Sequence, residues 1–160
     1  MMKNNLVNTW ITAWMKAKYC VSMLLVTLLL ASCSIISPLD EFTLDESYRI
    51  RKDIAVLYQL LKDTPAEERK YHLFQRDYTY IVVSLNVLLD RQKQLKNNEE
   101  TTKIVEEILS FVTKYRDAHK ADNTYKDARV ELHSKRLNSL MTALITAEEA
   151  KKKRNVPLIG

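Results

Sequence analysis

Three imidazoles, two thiols and several pairs of neighbouring carboxylates are the groups in this chain that could do chemistry. His72, His119 and His133 lie far apart. Neither an HExxH pattern nor a Glu-x-x-His pair occurs, so the spacing offers no zinc-protease or di-iron ligand set. His72 follows Glu68 by four residues, which suits an ion pair on a helix surface, and His133 near Glu131 also reads as helix surface. The pairs Glu67-Glu68, Glu99-Glu100, Glu106-Glu107 and Glu148-Glu149 could suggest acid–base work. Adjacent residues on a helix point about 100° apart, so such pairs do not converge on one substrate, and a solvated face is expected. Gly160 is the only glycine, which leaves no loop to cradle a phosphate, and no serine sits in a nucleophile-elbow context. The sequence assigns no catalytic residue, no metal and no cofactor, and predicts a protein that is not an enzyme.

Cys33 is different. It ends the run Leu30-Ala31-Ser32-Cys33, directly after the apolar segment Val21 to Leu30. Small side chains beside a scissile bond suit a signal peptidase, and a thiol takes a lipid as a stable thioether. The arrangement resembles the lipobox of bacterial lipoproteins. The resemblance covers the first fifth of the chain, and no family resemblance extends to the rest. It implies cleavage between Ser32 and Cys33, a diacylglycerol on the Cys33 sulfur and acylation of the new N-terminus. One acyl chain anchors only marginally, and about two or more anchor stably. An apolar run of about ten residues is too short to span a bilayer, which takes about twenty. Starting translation at Met15 would give Met15-Lys16-Ala17-Lys18-Tyr19, a compact basic n-region before the apolar run. Either way residues 1–32 are set apart as a signal peptide, and residues 33–42 as a lipidated tether.

Cys20 lies in the signal segment, so the mature chain keeps only Cys33 and no internal disulfide is expected. Every acidic residue follows Cys33, and so does every basic one except Lys3, Lys16 and Lys18. The body is therefore close to neutral, and the formal +5 overstates its basicity. No nucleic-acid partner is expected, because a dedicated binder carries a basic face across the whole domain.

Between Pro65 and Pro157 the chain has neither glycine nor proline, so hairpins are disfavoured and an all-α body is predicted over residues 43–154. The first helix is expected to start at Thr43, with Glu46 in capping-box spacing, and to bury Ile50, Ile54, Leu57, Tyr58 and Leu61. Thr64-Pro65-Ala66-Glu67 predicts the start of a second, long helix. Its seam is Tyr71, Phe74, Tyr78, Ile81, Leu85 and Leu88, with Leu95 completing the series after Gln92. Tyr80 to Leu89 is apolar almost all round, so this helix is expected to be central. A third helix should follow Asn97-Asn98 and carry Ile104, Val105, Ile108, Phe111, Val112 and Tyr115. Asp122-Asn123-Thr124 predicts a break, then a fourth helix on Tyr125, Ala128, Leu132, Leu137, Leu140, Met141, Leu144 and Ala147. One continuous helix across that break would give three helices instead. The expected fold is a four-helix up-and-down bundle on an N-terminal lipid tether.

Tyr80, off the main seam, is the tyrosine expected to contact a partner, since a large ring with a polar tip suits interfaces. The basic run Lys151-Lys152-Lys153-Arg154 exceeds what a helix dipole needs. The tail 155–160, with Pro157, Leu158 and Ile159, is apolar and expected to be extended. Both could meet a partner or an anionic membrane. Ser34 follows Cys33, with no Asp at that position. By similarity to enterobacterial lipoproteins this implies the outer membrane. The reading is a lipoprotein anchored through Cys33, whose helical body binds and helps assemble another envelope protein, as an accessory or pilotin-like factor. Alternatives are a plasmid- or phage-type exclusion or lysis lipoprotein, and a structural lipoprotein that self-associates through the seam of the second helix or holds peptidoglycan.

Overall fold

Each predicted apolar stripe becomes a helix in the computed structural model, which describes residues 37–154. Helix α1 is Glu41–Asp63, α2 Tyr71–Gln94, α3 Glu99–Asp122 and α4 Asp127–Arg154, with one 3-10 turn, Ala66–Glu68, before α2. No strand occurs among the described residues. Helix α1 packs on α2 and α4, and α3 packs on the same two helices. Short connections force neighbours to run antiparallel, so the result is the predicted four-helix up-and-down bundle. The break between α3 and α4 is real. Asn123 turns left-handed at φ 48°, its backbone N–H bonds His119 O, and its side chain accepts from Tyr71 N–H at 3.0 Å. Asn fills the role that glycine usually takes at a helix end. Asn97 does the same before α3, at φ 55°.

The core draws on all four helices. Leu85, Leu88, Ile108, Met141 and Leu144 have no exposed surface, and Tyr58 and Tyr78 almost none. Each such aliphatic side chain stabilises the fold by about 1.5–3 kcal/mol. The seam of α2 is spent inside the bundle, so self-association through that seam is closed off. Helix α2 is not the central helix expected, because each helix has two neighbours and one solvent face. Tyr80, Val83 and Val87 point outward.

Helix α4 departs most from expectation. Leu132 is 55% exposed and Ala128 is also exposed, whereas Val130 and Ile145 are buried. Leu132 lies nine residues from the buried Met141, about half a turn away around the helix, so both cannot face the core.

Two boundaries also differ. Helix α1 starts two residues early because Asp40 caps it, accepting from Thr43 N–H at 3.1 Å and from Thr43 Oγ1 at 2.7 Å. The predicted Thr43–Glu46 box does not form, since Glu46 binds Arg49. The helical body thus begins inside the segment read as tether. Thr64 closes α1 instead of opening the next helix: its N–H and its hydroxyl both bond Leu60 O. Arg69 Nε donates to Thr64 O at 2.8 Å, which folds the segment back and delays α2 to Tyr71.

Candidate functional site

At one end of the bundle a polar layer links all four helices. Arg91, near the end of α2, pairs with Asp40 at 2.6 Å, and hydrogen bonds from Arg91 hold the Asp40 carboxyl down to about 2. Gln92 Nε2 donates to Thr43 Oγ1 at 2.6 Å, and Gln92 Oε1 accepts from Asn98 Nδ2 at 2.5 Å. Thr101 Oγ1 donates to Asn98 Oδ1 at 2.9 Å. Lys151 Nζ, from α4, then reaches Asn98 Oδ1 and Glu148 Oε1, each at 2.6 Å, and Thr101 Oγ1 at 3.1 Å. Burial pushes the Glu148 carboxyl up, against the pull of Lys151. Ser37 N–H bonds Asn97 O at 3.2 Å, so the N-terminal approach enters at this same end. Hydrogen bonds run unbroken from Asp40 to Lys151, and one oxygen of the layer, Glu148 Oε2, is buried without a partner.

Aromatic rings and two imidazoles fill the opposite half. His119 is fully buried. Its Nε2 donates to Arg69 O at 2.9 Å, so its Nδ1, 3.3 Å from Tyr78 Oη, accepts from that hydroxyl. Burial holds His119 below its ordinary pKa. His133 stacks on Tyr115 with ring centroids 3.5 Å apart and planes 4° apart, and its Nδ1 bonds Tyr125 Oη. Burial first, then Arg129, Arg136 and Lys114, bring His133 down to about 4. Tyr125 Oη lies 3.4 Å from Tyr58 Oη, and burial pushes Tyr125 up to about 12. Burial also raises Tyr58 and Tyr78 strongly. Phenols this hard to ionise and imidazoles this hard to protonate are poor acid–base catalysts near neutral pH. Buried Arg69 ties this end together, donating to Tyr125 O at 2.8 Å and Asp127 Oδ1 at 2.6 Å.

A groove of about 190 Å³ runs between α1 and α4, with Tyr58 and Met141 on its floor and Arg51 and Lys62 at its rim. Among the described residues no group of His, Cys, Asp and Glu is placed to hold a metal. No helix among them is long and apolar enough to cross a membrane.

The residues singled out by sequence fall in three places. Tyr80 is 61% exposed on α2, as a contact residue must be. Lys151 is buried and bound within the bundle, which splits the basic run, while Lys152 is exposed. Lys153 and Arg154 continue the backbone of α4. Ser32, Cys33, Pro157, Leu158 and Ile159 lie outside the described residues. Two surface assignments are corrected. Glu148 is buried because Lys151 meets it inside, and His133 is half-buried because Tyr115 stacks on it. His72 is exposed, as expected. Sequence reading missed Arg69 and Asn98, whose polar types give no signal of burial, whereas Gln92 is buried at a position its spacing after Leu88 puts on the seam of α2.

No protein-family model matches this chain, and no similar chain was found among curated proteins or solved structures. The fold defines it as a four-helix up-and-down bundle, and function must be argued from its own residues.

Proposed function

We propose that this chain is a lipid-anchored envelope protein of the bacterial outer membrane, whose helical body binds and helps assemble another envelope protein. The observation that carries the binding role is an apolar surface the bundle does not need. Leu73, Tyr80, Val83 and Val87 of α2, with Val56 and Leu60 of α1, are each 44–61% exposed. A cluster of exposed large apolar side chains on a small domain marks a contact surface. Most interior polar groups are taken up in hydrogen bonds within and between helices, Glu148 Oε2 excepted, which supports a binding role over catalysis.

The lipobox supports the anchor. Ser37 is four residue steps after Cys33, which an extended chain covers in about 14 Å at most. Lys152 and the end of α4 share the end of the bundle at which Ser37 enters. A lipid on Cys33 would bring that basic helix end near anionic headgroups, where each cation contributes about 1 kcal/mol.

Mass spectrometry of the membrane-extracted protein tests the anchor. The expected N-terminal peptide starts at Cys33 and carries acyl chains. A mature protein starting elsewhere, or an unmodified Cys33, would overturn it.

A further inference from the structure

The outer face of α2 repeats in alternating steps of three and four residues: Leu73, Arg76, Tyr80, Val83, Val87, Asp90. These positions line one stripe of the helix, on the side away from the buried seam. Leu73, Tyr80, Val83 and Val87 are exposed, and so are Arg76 and Asp90. Among the described residues neither charge has an ion-pair partner. Their placement is symmetric in position and opposite in sign. Arg76 comes seven residues before Val83, and Asp90 seven residues after it.

We propose that this stripe pairs with the same stripe of a second copy of the chain, antiparallel, about a two-fold axis passing near Val83. The inference rests on reading the exposed apolar surface as a contact surface, and it names the occupant. A two-fold interface must be complementary to itself. Here reversal of the helix brings each Arg76 opposite Asp90 of the second copy, so both ends of the stripe carry an ion pair. Tyr80 meets Val87 of the second copy, and Val83 meets its own counterpart. A parallel pairing would set Arg76 against Arg76 and Asp90 against Asp90, which repels. Helix α1 widens the contact. Val56 lies seven residues after Arg49, whose guanidinium reaches Ser84 Oγ of α2 at 3.1 Å, so Val56 and Leu60 flank the stripe. Self-pairing takes up the six residues named above as the contact surface, so the exposed apolar side chains left for a different envelope protein are Phe42 and Tyr48 of α1 and Leu132 of α4.

Crosslinking of the full chain in cells tests the pairing. Val83→Cys places a thiol near the axis, and Gln75→Cys places one on an exposed position off the stripe. Under mild oxidation the Val83→Cys chain should form a disulfide-linked homodimer at least tenfold more than the Gln75→Cys chain. In the Val83→Cys background, Arg76→Glu alone and Asp90→Arg alone should each lower the dimer several-fold, and the two together should restore it. A heterologous partner would not answer to that double exchange. Equal dimer from both thiol positions, or no restoration by the double exchange, would overturn the proposal. Coupling of Val83→Cys to a different protein would overturn self-pairing while leaving the contact surface standing. An uncoupled monomer alone would overturn both.

Discussion

Lys151 Nζ meets Glu148 Oε1 at 2.6 Å, one helical turn apart on α4, with 5% and 0% of the two side chains exposed. A basic run that looks solvated in the sequence thus begins with a residue committed to the interior. Breaking a buried pair leaves one charge stranded, so Lys151→Met should destabilise the bundle by about 3–5 kcal/mol. The double variant Lys151→Met with Glu148→Leu should recover most of that loss. Lys152→Ala, at an exposed position, should change stability by no more than about 0.5 kcal/mol. Urea unfolding of the three variants separates these cases, and equal effects for Lys151 and Lys152 would contradict the placement.

The stacked, hydrogen-bonded His133 gives the fold a pH dependence of definite sign. Its pKa falls from the ordinary 6.5 to about 4 in the folded chain, so unfolding takes up a proton in between. Stability is full above the unfolded value and is lost as pH falls toward the folded one. Going from pH 7 to pH 5 should cost up to about 2 kcal/mol at this residue. His119 shifts the same way and adds to the loss. Asp40 acts only in stronger acid, between its ordinary 3.8 and about 2. Glu148 has the opposite sign, since its raised pKa favours folding at lower pH. Chemical denaturation at several pH values should show a His133→Gln chain with a flatter profile between pH 7 and pH 5. An unchanged slope would contradict the neutral, half-buried imidazole.

Helix α4 offers a direct check of its register. Val130→Ala should cost about 1–3 kcal/mol through lost burial and the cavity left behind. Leu132→Ala, two residues on, should stay within about 0.5 kcal/mol. A larger effect at Leu132 would restore the stripe expected from the sequence.

Arg69 joins the α1–α2 connection to the start of α4 through Thr64 O, Tyr125 O and Asp127 Oδ1. Arg69→Ala would strand buried carbonyls, at about 1–3 kcal/mol for each group left unmet. Hydrogen exchange should quicken in the 64–70 and 123–127 segments well before the polar layer at the other end responds. Uniform quickening along the chain would contradict a local clasp.

Much of this fold was legible because apolar spacing is periodic and breakers are scarce. The stripes of α1, α2 and α3 read directly, and Asn123 marked the last break. Helix α4 read poorly because Val130 is followed on the inner side by the partly buried His133 and Ser134 instead of leucine, so Leu132 seemed the better core residue. The polar layer was invisible for a related reason. Gln92, Asn98 and Lys151 are ordinary surface types, and only the convergence of four helix ends makes each the partner of another. Thr64 misled because the same hydroxyl can open one helix or close the one before, and Arg69, further along the chain, decides which. Tyr80 falls off the seam and is exposed, although the apolar stretch Tyr80 to Leu89 pointed to a helix buried all round.

We propose that a lipid on Cys33 holds a protein-binding bundle at the envelope. Co-purification after crosslinking in cells, with Cys33→Ser as the comparison, tests it most directly. One dominant envelope protein should be recovered with the unaltered chain from the outer membrane, and it should be lost or mislocalised with Cys33→Ser. The same partners and the same membrane fraction from both chains would contradict it.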